Sequence, residues 1–154
     1  MKPRLNPYAA APDQMQAFAD FSTAIAKDGV EPSLAELIKI RVSQINGCAF
    51  CLHMHTRDAL AAGETELRLT MLAAWHESPL YSDRERAALA WAEALTRLPA
   101  GGAPDAVYDA MAAQFSKDEQ VKLTMTISII NAWNRFGAGF HLVHAMPKPA
   151  AVAA

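Results

Sequence analysis

The stretch from Glu36 to His55 limits how this chain can fold more than any other. It holds both cysteines of the protein, Cys48 and Cys51, with Gly47 directly before them, His55 four residues after and Glu36 twelve residues before. If the residues from Cys48 onward are helical, an advance of about 100° per residue puts Cys48, Cys51 and His55 within roughly a 60° arc, and His53 on the opposite side. The apolar run before Gly47 then forms a second helix folding back antiparallel. At about 1.5 Å per residue, Glu36 returns level with His55, near direct or water-bridged contact. A carboxylate, a base and a dithiol in one place suit thiol chemistry.

The run before Gly47 also supports a strand reading, because Ile38-Lys-Ile40-Arg-Val42-Ser alternates, and a strand feeding a C-x-x-C helix would be thioredoxin-like. The helix is preferred on two grounds. Leu34, Leu37, Ile38, Val42 and Ile45 fit the 3.6-residue period, and Ser33 with Glu36 makes the S-x-x-E pattern of a capping box. The Trp that commonly precedes a thioredoxin dithiol is absent, and Gly47 stands there instead.

The rest of the chain reads as helices separated by short breaks. With 154 residues, 52% of them hydrophobic, and only 7 Gly and 9 Pro, the composition fits one all-α domain over 1–154 with a core at about 13–145. Residues 1–11 read as an irregular arm, Pro12 to Asp28-Gly29 as a helix, and Cys48 to Ala62 as the dithiol helix stopped by Gly63. Thr65 caps a helix carrying Leu67, Met71, Leu72 and Trp75 that ends near Ser78-Pro79. Ser82 with Glu85 and Ser116 with Glu119 repeat the capping-box pattern. The first of these opens a helix ending before Pro99. Pro99 to Pro104 reads as a loop and Asp105 to Phe115 as a short helix. The last helix, Val121 to about Phe136, is apolar on more than one face, as expected of burial at the centre or in a subunit interface. The tail 147–154 reads as disordered. Ser33…Glu36…Cys48-Ala-Phe-Cys51 and Ser116…Glu119…Asn131-Ala-Trp-Asn134 superpose at a constant offset of 83, suggesting a duplicated helical unit.

Net charge is −2, and the sequence has neither a basic block nor a run of some 18 apolar residues, so nucleic acid and membrane are not expected partners. The start lacks a signal-type apolar segment and the expected location is cytoplasmic, where two close cysteines act in redox or metal chemistry more often than as a staple. A zinc site would find three ligands in Cys48, Cys51 and His55, but no second ligand pair follows at structural-zinc spacing. Haem attachment needs His where Leu52 stands. No metal and no bound cofactor is expected. Glu36 is explained by capping alone, but capping and catalysis are compatible. His55, one turn from Cys51, can take a thiol proton and steady the thiolate. Local physics points two ways on the nucleophile: a helix N-terminus favours Cys48, a base four residues on favours Cys51. Phe50, Trp75, Trp91 and Trp133 are candidates for lining a substrate pocket.

The pattern Glu36-x11-Cys48-x2-Cys51-x3-His55 resembles the E…C-x-x-C-x-x-x-H core of the AhpD-like alkylhydroperoxidase and carboxymuconolactone decarboxylase superfamily, and Ile130-Asn-Ala-Trp-Asn-Arg135 resembles its later segment. The similarity spans roughly Glu31 to His141. It implies an all-helical fold, a homo-oligomer (trimer or hexamer), and the peroxidase-like branch, since the decarboxylase branch generally lacks the cysteines. By position it makes Cys51 the peroxidatic thiolate, Cys48 the resolving thiol, His55 the base and Glu36 the end of a proton relay. A hydroperoxide substrate and a lipoyl-bearing or thioredoxin-like dithiol reductant follow from the same resemblance. Phe50 stands where the best-known peroxidases of the family carry a second relay histidine. A redox sensor using the same disulfide, a decarboxylase-like enzyme and a zinc module are the rival readings.

Overall fold

The computed structural model describes residues 2–144, and every regular element among them is helical. The helices are α1 (Pro7–Ala10), α2 (Pro12–Lys27), α3 (Pro32–Asn46), α4 (Ala49–Ala61), α5 (Glu66–Met71), α6 (Asp83–Thr96), α7 (Leu98–Gly101), α8 (Asp105–Ala112) and α9 (Lys117–Gly139), with a 3-10 turn at Leu72–Ala74. None of them is long and apolar enough to cross a membrane.

At the centre lies α3, packed against α4, α6 and α9. Leu34, Ile38 and Val42, four residues apart, face a core shared with Trp91, Leu123, Ile127 and Ile130. Leu37 and Ile40 face a second core with Leu69, Leu72, Trp75 and Leu89. This resolves the strand-like alternation of Ile38, Ile40 and Val42: the helix is covered on two sides, so successive even-numbered positions are filled by different cores. Leu37, Ile38 and Val42 are fully buried, each contributing about 2 kcal/mol from area removed from water.

Two of the three expected capping boxes form. Ser82 Oγ accepts from the Glu85 N–H at 3.2 Å while Glu85 Oε2 accepts from the Ser82 N–H at 2.8 Å, and Ser116 and Glu119 repeat the arrangement at 3.3 and 2.7 Å. The box at Ser33 does not form. Pro32 occupies the first turn of α3 and Glu31 is the N-cap, with no side-chain cap bond, because proline's fixed φ suits the first helical position. Ser33 therefore already lies inside the helix. Glu36 sits beyond the first turn and its carboxylate turns toward α4 instead.

Other boundaries differ from expectation for equally local reasons. The N-terminal arm contains α1, capped by Asn6 Oδ1, which accepts from the Tyr8 N–H at 3.0 Å. Arg4 ties this arm to the end of α9 through bonds to the Gly139 and Phe140 carbonyls, both 3.0 Å. The stretch Pro99 to Pro104 is not all loop, since Leu98–Gly101 closes one helical turn with Pro99 in its first positions. The fourth expected helix tightens into the 3-10 turn after Met71, α8 stops at Ala112, and α9 starts at its cap Ser116 and runs to Gly139. The echo at offset 83 falls on two helices broken at Gly47 in one instance and on the unbroken α9 in the other. The tail 147–154 lies outside the described residues.

Arg84 gathers three elements, pairing with Glu31 at 2.8 Å and Glu119 at 2.7 Å while stacking over Phe115 at 3.9 Å. Glu93 joins α6 to α3 and the 3-10 segment by accepting from Arg41 at 2.7 Å and Trp75 Nε1 at 2.9 Å. The two kinds of serine can be told apart by urea denaturation: Ser116→Ala is expected to cost about 1 kcal/mol, whereas Ser33→Ala, at an exposed position whose side chain caps nothing, stays within about 0.5 kcal/mol.

Candidate active site

The α3–α4 hairpin brings the carboxylate and the imidazole into direct contact. Gly47 adopts φ +66, the left-handed region, and its N–H and that of Cys48 bond back to the Gln44 and Ser43 carbonyls at 3.4 and 3.1 Å. Glycine meets this conformation without the penalty a Cβ would carry. The chain reverses in one residue, and Glu36 Oε2 accepts from His55 Nδ1 at 2.8 Å. Lys39 Nζ donates to the other oxygen at 2.7 Å. Burial works against the Glu36 charge, but the bonds from His55 and Lys39 outweigh it and hold the carboxyl below its usual range. An ionised carboxylate only accepts, so the ring proton lies on Nδ1 and Nε2 keeps a lone pair. That is the tautomer a base requires.

One turn toward the start of α4 lie the thiols, both free and almost completely buried, at 1% exposure for Cys48 and 2% for Cys51. Cys48 is the N-cap of α4, and its Sγ accepts from the Cys51 N–H at 3.4 Å. The Cys51 thiol, the N–H groups of Phe50 and Cys51 and the Asn134 side chain all favour the anion on Cys48, drawing this thiol down to about 7 against the pull of burial. The same thiol–thiol hydrogen bond, burial and the adjacent charge push Cys51 up. The first ionisation of the pair thus falls on Cys48.

Access divides the pair the other way. A cavity of about 630 Å³ opens over the hairpin, and Cys51, His55 and Glu36 stand in its wall together with Phe50, Trp133 and Tyr8, whereas Cys48 lies behind. The remaining wall is largely aliphatic, from α2, α3, α4 and α9, with Leu142 on one side. Trp133 is fixed by its Nε1, which donates to Ser22 Oγ at 3.0 Å, and by Phe18 at a ring distance of 4.6 Å.

All four expected site residues, Glu36, Cys48, Cys51 and His55, are therefore together. Phe50 and Trp133 line the cavity as expected, but Trp75 and Trp91 do not: they are buried on other sides of α6, their indole N–H groups bonded to Glu93 and Thr124. His53 points away and stacks on His144 at 4.7 Å. Among the described residues no three His, Cys, Asp or Glu side chains gather as metal ligands. Sequence reasoning missed Lys39, Ser43, Asn134 and Gly137. The backbone of Gly137 comes so close that a Cβ there would lie 2.5 Å from Cys48 Sγ and 3.4 Å from Cys51 Sγ.

Two outcomes follow from this geometry. Gly137→Ala should cost about 1–3 kcal/mol by overpacking and slow closure of the Cys48–Cys51 disulfide, measured by denaturation and by timed alkylation. The thiols also set a pH profile for the reduced protein. An unfolded thiol ionises near 9.0 and Cys48 near 7. The stabilisation from Cys48 is full above the unfolded value and is lost as pH falls through the folded one. Cys51 is raised, so above pH 9 the unfolded chain gives up a proton that the fold retains. Stability under reductant should rise from about pH 7 to about pH 9 and then decline, and Cys48→Ala should abolish the rise.

The carboxymuconolactone decarboxylase family model matches residues 12–94. The uncharacterized protein YdfG of Bacillus subtilis (strain 168) is 42% identical over 135 residues, 88% of this chain and 92% of that protein. The uncharacterized protein YnjA of Escherichia coli (strain K12) is 30% identical over 113 residues, 73% of this chain and 62% of its own length. Among solved structures, a protein of unknown function from Agrobacterium tumefaciens, for which an AhpD-type antioxidant-defence role has been suggested, superposes with a TM-score of 0.92 at 38% identity, over 95% of this chain and all of that one. The debrominase Bmp8 shares the fold, with a TM-score of 0.78 at 23% identity over 86% of this chain and 71% of its own. With the match running through the helices that carry Glu36, Cys48, Cys51 and His55, this chain belongs to the carboxymuconolactone decarboxylase family and has the AhpD-like all-helical fold.

Proposed function

We propose that the protein is a thiol-dependent peroxidase that cycles between a Cys48, Cys51 dithiol and its disulfide. The observation that carries this reading is the placement of Cys51, beside the His55–Glu36 pair, in the wall of an apolar cavity with a second thiol directly behind it. A hydroperoxide entering the cavity meets Cys51 first. The Cys51 proton passes to His55 Nε2, and the Cys51 thiolate attacks the nearer peroxide oxygen. The O–O bond breaks, Cys51 becomes a sulfenic acid, and the departing alkoxide takes a proton from the imidazolium. Cys48 then attacks the Cys51 sulfur, forming the disulfide and releasing water. In sum, two thiols and one hydroperoxide give one disulfide, one alcohol and one water.

An external dithiol returns the pair to the reduced state. The suggested antioxidant role of the Agrobacterium tumefaciens protein supports the same reading, and the two thiols favour it over a decarboxylase-like enzyme. Glu36 holds the imidazole in its basic tautomer and balances the imidazolium, while Phe50 narrows the relay to one histidine.

The test is consumption of cumene hydroperoxide and hydrogen peroxide with dihydrolipoamide as reductant. Cys51→Ser should lower turnover roughly a thousandfold or more, as loss of a nucleophile does, and His55→Ala about 10²–10⁴-fold. Full activity in Cys51→Ser would refute the assignment. A disulfide that forms without turnover would instead favour the sensor reading.

A further inference from the structure

Asn134 is one of the few polar side chains fully inside the protein, at 1% exposure, and no step above uses it. It projects from α9 into the space between the last turn of α3 and the dithiol, one turn before Gly137, against whose backbone both sulfurs rest. Its Nδ2 donates to Ser43 Oγ at 3.0 Å, and its Oδ1 accepts from Asn46 Nδ2 at 2.9 Å. The amide also favours the anion on each of the two sulfurs.

The direction in which this amide faces is set from outside the site. Asn131 Nδ2 donates to the Ile127 carbonyl at 3.0 Å, an acceptor only, so the Asn131 oxygen must face the other way, where Arg135 NH1 donates to it at 2.9 Å. Asn46 Nδ2 donates to that same oxygen at 2.9 Å. The Asn46 amide is thereby oriented, and since its Nδ2 also meets Asn134, the Asn134 atom it meets is the oxygen. The Asn134 NH₂ group is left facing Ser43 and the thiols. With one N–H on Ser43 Oγ, the other is available to a sulfur. A chain of amides anchored on a backbone carbonyl and an arginine thus ends in a single donor aimed at the dithiol.

We propose that Asn134 is a positioning residue for the dithiol, holding an oriented N–H against the Cys48 sulfur so that the anionic sulfur of the pair is stabilised at Cys48 and the disulfide is opened in one direction. An external thiolate attacks the Cys51 sulfur, the one that faces the cavity. The Cys51–Cys48 bond breaks, its electron pair leaves on Cys48 as a thiolate that accepts from Asn134, and Cys51 carries the mixed disulfide. The second thiol of the reductant then displaces Cys51 and completes a two-electron exchange. The redox step rests on the dithiol reading above, but the donor role does not.

The test reads Cys48 in the reduced protein without any peroxide, as the pH dependence of its alkylation by iodoacetamide followed by peptide mass. Asn134→Asp keeps the shape of the side chain and replaces the donor with an acceptor, and Asn134→Leu removes both. Each is expected to shift the Cys48 midpoint upward by about one pH unit or more, a tenfold change in the ionisation constant, and the disulfide should be reduced by dithiothreitol about tenfold more slowly. Ser43→Ala, which leaves the donor in place, should not raise the midpoint. The side-chain amide proton resonances of Asn134 in the wild type should move with the same midpoint as Cys48 alkylation, a readout independent of any variant's folding. An unshifted midpoint in a folded Asn134→Asp, or an Asn134 resonance flat across the Cys48 titration, would overturn the proposal. A shifted midpoint in a protein that consumes no peroxide would sustain the role of Asn134 and refute only the peroxidase reading.

Discussion

The reversal at Gly47 is the constraint on which the site depends. A left-handed residue that ends α3 and is followed immediately by the N-cap of α4 leaves no slack in the chain. The register between the two helices is therefore fixed, and with it the facing of Glu36 and His55. The same turn leaves the first N–H groups of α4 without helical partners, which is where Cys48 sits as the cap. A longer loop would free the two helices to slide, and neither the Glu36–His55 hydrogen bond nor the capped sulfur would be guaranteed. One backbone conformation thus sets both the base and the more acidic thiol.

What keeps the hairpin in place is its burial against α9 and α6. The inner stripe of α3 and both sulfurs belong to the same apolar cluster as Leu123, Ile127 and Ile130 of α9. Packing at this density leaves no room for a side chain at Gly137. Polar groups inside such a core must be partnered, and among the described residues no buried side-chain nitrogen or oxygen lacks a partner. The amide chain from Asn131 through Asn46 to Asn134 meets that requirement at the back of the site, and the Glu36, His55, Lys39 cluster meets it at the front.

Much of this was legible in the sequence, for physical reasons that can be named. The helical fold followed from periodicity and capping boxes, and the approach of Glu36 to His55 followed from rise per residue on either side of Gly47. The capping assignment at Ser33 failed because Pro32 moved the helix start back, a competition between two start signals that a pattern match does not weigh. Trp75 and Trp91 could not be separated from Phe50 and Trp133, since aromatic residues of the core and of a cavity wall share the same helical spacing. The apparent repeat at Asn131-Ala-Trp-Asn134 marked residues that matter, but as the second side of one site: the asparagines of α9 lie behind the cysteines of α4. Nothing local revealed Gly137, because its role comes from the approach of another helix.

The two sulfurs divide properties that a single thiol could not combine. A thiolate in a cavity that admits a bulky apolar ligand would have few fixed donors to stabilise it, since most of the wall where the ligand lies is aliphatic and aromatic. A thiol surrounded by donors is acidic but unreachable from the cavity. Placing Cys48 at the helix N-terminus beside Asn134, and Cys51 one turn on beside His55, assigns acidity to one and access to the other. The contact between them lets the accessible thiol favour the anion on the acidic one. The helix N-terminus therefore does not need to choose between the cysteines. In the proposed cycle it stabilises the sulfur that resolves and departs, and the histidine serves the sulfur that attacks.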